Sequence, residues 1–164
     1  MVDYAKLAAE EKERQVSANS AAEAERSRET ALLDFFKSVE TSLGEEVDKA
    51  NQELGKRGDP VFSGPERPFK DENRIDLAYG TRSPCCKLTL QTNIAEVDLS
   101  RILVELLGDS GDVIGRTEYV IDEKEASLKA YKSLVEGFPD RSTEVTSAEI
   151  AQQIVPGVIR GHFE

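Results

Sequence analysis

Residues 97–121 read VDLSRILVELLGDSGDVIGRTEYVI, and the state assigned to them decides the fold. The second half, Val113 to Ile121, is rich in β-branched and aromatic residues, and Gly108-Asp109-Ser110-Gly111-Asp112 before it has the composition of a hairpin loop. The first half is ambiguous. Leu99, Ile102, Leu103 and Leu106 ahead of Gly108 also match a helix with a glycine cap. Because the loop and its β-rich return complete a hairpin, strand is the expected state on both sides.

Upstream of this hairpin, Ile75, Leu77 and Tyr79 alternate with Arg74, Asp76 and Ala78. After a turn over residues 80–84, Cys86, Leu88 and Leu90 alternate with Lys87, Thr89 and Gln91, a second period-two pattern. Downstream, Leu128, Tyr131 and Val135 fit a short helix, whereas Leu128, Ala130 and Leu134 fit a fifth strand; a strand at the end of this stretch is expected. Residues 73–136 therefore predict an antiparallel meander of four or five strands.

Two helices flank the meander. From Leu32 the apolar positions are Leu32, Phe36, Val39, Leu43, Val47, Ala50 and Leu54, an 11-residue repeat that keeps one stripe on one side of a straight helix. Phe35 widens this stripe, and Gly55 is the expected stop. The chain ahead of it, also proline-free and rich in Ala, Glu, Arg and Lys, favours helix but offers few large aliphatics beyond Tyr4, Leu7 and Val16. Ser20 with Glu23 reads as a capping box, so the ordered helix is open to starting there. A single helix over the whole stretch would run about 75 Å at 1.5 Å per residue. That is far more than a domain of roughly 110 residues, with a radius of gyration near 13 Å, can cover. Such a helix is either frayed or covered by a second chain. At the other end, Thr146 with Glu149 makes a capping box and Val145 with Ile150 the matching staple. An apolar face follows through Ile154 and Val158 to Phe163, and Pro156 predicts a break or kink near Val155.

The expected fold is α+β. Residues 1–30 form a projecting or partly frayed helical extension, and 31–164 form one domain. Within that domain lie a helix (31–54), a Pro/Gly connector (55–72), the antiparallel sheet (73–136) and a C-terminal helix (146–163) packed on the sheet because each element has one apolar face to bury.

Composition narrows the partners. A net charge of −11, from 32 acidic and 21 basic side chains, repels phosphate backbones and anionic bilayers, so neither nucleic acid nor membrane is an expected partner. No run approaches the roughly 18 apolar residues of a membrane helix. The beginning of the chain lacks a signal-peptide pattern, and a cytoplasmic location is expected. The only cysteines, Cys85 and Cys86, are neighbours whose Cα atoms lie about 3.8 Å apart, too close for an unstrained bridge.

Chemistry-bearing patterns are sparse. Cys85 and Cys86 with the sole histidine, His162, make the smallest set from which a thiol- or metal-dependent enzyme can be argued. Two thiols and one imidazole fall short of the four ligands of a structural zinc site, and Cys86 belongs to the same strand face as Leu88 and Leu90, where a thiol behaves as a small hydrophobe. Asp109 and Asp112 serve the hairpin loop, which lacks the EF-hand ligand pattern. No phosphate loop, dinucleotide fingerprint, nucleophile elbow or zinc-protease motif is present, so no cofactor or metal is expected.

One distributed feature remains. With Ile102, Val104 and Leu106 facing the core, the opposite face of the hairpin carries Leu103, Leu107, Ile114 and Val120 beside Arg101, Glu105, Arg116 and Glu118, which can pair across strands. The expected function is a non-enzymatic interaction or assembly protein that self-associates or binds another protein. Its contacts are expected at Tyr4, Leu7 and Val16 on the helix and at Leu103, Leu107 and Ile114 on the sheet. A thiol or metal enzyme using Cys85 or Cys86 with His162 is the alternative. A small-ligand-binding domain with its pocket between sheet and terminal helix is a further one.

Overall fold

The computed structural model describes residues 2–94, 99–122, 128–135 and 138–163, with side chains placed for all of these except residues 25, 82–84, 93–94, 99, 134–135 and 138–143. Helix α1 spans Tyr4–Arg57. The strands are β1 (Phe62–Glu66), β2 (Arg74–Tyr79), β3 (Arg82–Ile94), β4 (Leu99–Leu107), β5 (Val113–Asp122), β6 (Lys129–Val135) and β7 (Phe138–Val145), and α2 covers Ser147–Arg160. The chain divides into two compact units, residues 1–32 and 33–164.

In the first unit, α1 begins sixteen residues ahead of the capping box at Ser20. Asp3 caps it, accepting the Lys6 amide on Oδ1 at 3.1 Å, and Ser20 lies inside the helix. At its other end, in the second unit, α1 passes Gly55 and ends two residues later at Arg57. Gly58 takes φ +71°, its amide donates to the Gly55 carbonyl, and the Asp59 amide donates to that of Leu54, a Schellman closure.

In the second unit the strands form one curled antiparallel sheet in the order β1 to β7. The fold is α+β, but with seven strands rather than four or five. The two unforeseen strands are the edges, and each contains a proline: Pro65 in β1 and Pro139 in β7. Proline lacks a ladder donor and is tolerated at an edge; the β1 stretch reads as part of the Pro/Gly connector for this reason, and the β7 stretch lies outside the expected elements. The register pairs Leu77 with Cys86, Leu88 with Val104, Ile102 with Tyr119 and Ile121 with Ala130. Those residues share one face and are all buried.

Both helical segments of this unit lie on that face. Phe36, Val39, Leu43 and Val47 of α1 are buried, as are Ile150, Ile154 and Val158 of α2. Polar ties set their positions. The Asn51 carboxamide donates to the Phe62 carbonyl at 3.0 Å and accepts the Phe62 amide at 2.8 Å, which joins α1 to the β1 edge. Arg67 bonds Glu40 at 2.6 Å while its guanidinium stacks over Phe36, and the Tyr119 hydroxyl donates to Gln153 of α2 at 2.6 Å.

The capping box at Thr146 forms as its spacing requires. The break expected near Val155 does not occur, and α2 runs through Pro156. The amide that proline lacks would have bonded the carbonyl of Gln152, an exposed residue, so water can satisfy it. Past the end of α2, Gly161 adopts φ +81° and the chain folds back, laying the Phe163 ring where a Cβ on Gly157 would stand.

Burial ranks the substitutions. Leu43→Ala is expected to lower the unfolding free energy by about 3 kcal/mol and Thr146→Ala by about 1 kcal/mol, whereas Leu7→Ala should stay within about 0.5 kcal/mol. Urea denaturation followed by circular dichroism measures all three.

Candidate functional site

The thiols are built into the sheet. Cys86 is fully buried on the inner face, paired with Leu77 and Leu106 across its neighbours. Cys85, next along β3, is also buried, with Sγ 3.4 Å from the Leu77 carbonyl. Burial pushes the Cys86 thiol well above its ordinary value, reinforced by Cys85 and Asp76 nearby. That shift opposes thiolate formation, the reverse of what a nucleophile or metal ligand needs. His162 is exposed just beyond α2, and among the described residues no hydrogen bond joins its ring to either sulfur. No cluster of three or more His, Cys, Asp and Glu side chains occurs among the described residues, and no helix there is long and apolar enough to cross a membrane.

The outer face of the sheet is a layer of paired charge. Glu105 sits directly opposite Lys87 on β3 and Arg116 on β5, with contacts of 3.7 and 3.3 Å, and Arg101 reaches Gln91 at 2.6 Å and Glu118 at 2.7 Å. Between them lie Leu103, only 7% exposed, and Val120 at 2%. The long charged side chains lie over these apolar residues with their stems and satisfy one another at their heads. Of the three hairpin residues singled out for contact, Leu103 is buried, Leu107 is half-buried and only Ile114 is exposed.

The helix behaves differently. Every described side chain from Val2 to Ser27 is exposed, including Tyr4 (77%), Leu7 (51%) and Val16 (58%). Among its described side chains, Arg14 pairs with Glu11 at 2.7 Å.

A cleft of about 310 Å³ lies between the inner sheet face and α2, lined by Thr117, Tyr119, Lys132, Gln152, Gln153 and Arg160 among others. It occupies the place expected for a ligand pocket and has polar groups that sequence reasoning did not name. The available signal was the row Gln152, Pro156, Arg160 at four-residue spacing, which borders the apolar face of α2. Comparison with protein-family models, curated proteins and solved structures finds no match to this chain.

Ionisation gives a test of the buried groups. Above pH 9 the unfolded chain loses the Cys86 proton while the folded protein keeps it, and above pH 10 the same holds for Tyr119, whose hydroxyl burial also pushes up. The unfolded state then binds fewer protons, so stability falls as pH rises. The urea midpoint is expected to decline steadily above pH 9, and Cys86→Ala should flatten the first part of that decline. A midpoint independent of pH up to 11 would contradict the burial of both groups.

Proposed function

We propose that this protein is a non-enzymatic assembly protein that self-associates through the N-terminal half of α1. The observation that carries this reading is the exposure of every described side chain from residue 2 to residue 27, in a helix continuous from Tyr4. Most helical stability in proteins comes from packing one face, and this stretch packs none of its own. A second chain laid along it would cover Tyr4, Leu7 and the alanines between and beyond them. Charge supports a copy of the same chain as that partner. Residues 1–31 hold seven acidic and five basic side chains, so two such stretches can approach each other, although the whole chain carries −11. The location consistent with this reading is the cytoplasm, where the two free thiols would stay reduced.

A second reading rests on the cleft between the sheet and α2. Lys132, Arg160 and the Tyr119–Gln153 pair offer charge and hydrogen bonds suited to a small anionic metabolite. A thermal shift of the full chain with inorganic phosphate and with small carboxylates would reveal it.

Light scattering coupled to gel filtration tests the first reading. A multimer is expected at tens of micromolar, and a strictly monomeric species would remove self-association from consideration.

A further inference from the structure

We infer that Phe69 anchors a contact between two copies of this chain, its ring entering on the other copy the groove that borders its own turn. The contact lies within the second unit and goes beyond the helix contact proposed above. Between β1 and β2 the chain reverses through two overlapping turns. The Lys70 amide donates to the Arg67 carbonyl at 3.2 Å and the Asp71 amide to that of Pro68 at 3.1 Å. Proline suits the first central position of such a turn, and the next position, where φ is positive, is normally glycine. Phe69 stands there at φ 57°, followed by Lys70 at 56°. Positive φ crowds the Cβ of an L-residue, and bulky side chains are rarely found there.

The ring gains nothing inside the chain in return, since Phe69 is 99% exposed. The turn is nonetheless held firmly. Arg67 reaches Glu40 at 2.6 Å and the Glu72 carbonyl at 2.7 Å, and the Asp71 carboxylate accepts the Asn73 amide at 2.8 Å. Backbone strain fixed by surrounding bonds, beneath an aromatic ring held wholly in water, characterises a surface that acts on a partner.

A second copy offers the ring a place. Leu33, Asp34 and Lys37 of α1, with Glu40, Arg67 and Glu72, line a groove of about 290 Å³. Arg67 and Glu72 are also the two ends of the turn that carries Phe69, so knob and groove share a wall. A contact about a two-fold axis uses the same patch on both partners, which makes a knob beside a groove self-complementary. Charge agrees with this occupant. Arg67 and Glu40 satisfy each other, which leaves the groove two carboxylates, Asp34 and Glu72, against one ammonium, Lys37. Lys70, next to the entering ring, supplies the missing cation.

The chain contains no tryptophan, so Phe69→Trp places a single indole at the contact. In the full chain at rising concentration, its emission is expected to shift to the blue and its quenching by acrylamide to fall as light scattering records assembly. Adding Asp34→Arg, which fills the groove and reverses its charge, should abolish that shift. Phe69→Gly removes the ring and relieves the backbone. Its urea midpoint should rise at concentrations where the wild type is monomeric, while its association weakens about thirtyfold, as expected for loss of an anchoring aromatic. A multimer whose indole stays fully quenchable, an Asp34→Arg variant that keeps the shift, or a Phe69→Gly variant that associates unchanged would overturn this contact and leave self-association through α1 standing. A wild type that stays monomeric at tens of micromolar would overturn both.

Discussion

The fold of residues 33–164 depends on one contact: the stripe of Phe36, Val39, Leu43 and Val47 against the inner face of the meander. Seven antiparallel strands joined in sequence order present a whole apolar face that no strand can cover. The stripe recurs every three and four residues, so it stays straight enough to follow that face, and α2 adds Ile150, Ile154 and Val158. Each of these large side chains contributes about 1.5–3 kcal/mol when fully buried, which makes the contact the dominant stabilising term. Apolar contact alone would allow the helix to slide. Asn51, bonded twice to the Phe62 backbone, and Arg67, held between Glu40 and the Phe36 ring, select one position.

The outer face meets the opposite problem with different chemistry. Leu103 and Val120 point away from the helices, yet both are buried. Alternation of Lys87, Glu105 and Arg116 across three adjacent strands, with Arg101 and Glu118 beside them, builds a charged layer above the apolar residues. Pairs of this type add only about 0.2–1 kcal/mol each. Their larger effect is to let a sheet packed on one side carry leucine and valine on the other without presenting an apolar patch. The centre of the hairpin face, at Leu103 and Val120, is therefore covered by the sheet's own charged side chains, while Ile114 stays exposed.

How legible the molecule was depended on whether a signal was local. The central strands were readable because burial on one face imposes period two on Ile75–Tyr79 and Cys86–Gln91, and the hairpin loop resolved the ambiguity at Leu99–Leu106. The edge strands were not, because Pro65 and Pro139 are compatible with an edge and equally with a loop. Gly55 was a plausible helix stop, but the left-handed position fell on Gly58, and nothing local distinguishes two glycines three residues apart. Pro156 misled in the other direction, since its cost depends on whether the freed carbonyl meets water. The cleft was illegible for a different reason. Tyr119, Lys132 and Gln153 come from three elements, and each is ordinary in its own sequence context.

Helix α1 thus combines two arrangements at one spacing. From Leu32 the stripe is large and apolar, and the energy comes from removing it from water. Before Leu32 the same spacing carries alanines and alternating Glu and Arg, which remove little apolar surface on pairing. Exposed helical ion pairs are worth about 0.3–0.5 kcal/mol and are screened over roughly 10 Å at 0.1 M salt. An interface made from them discriminates between orientations more than it adds affinity. Assembly through such a stripe would be reversible and sensitive to ionic strength. Those are properties of a regulated contact between folded domains, and a permanent interface would have called for the leucines and phenylalanines that this helix reserves for its own core.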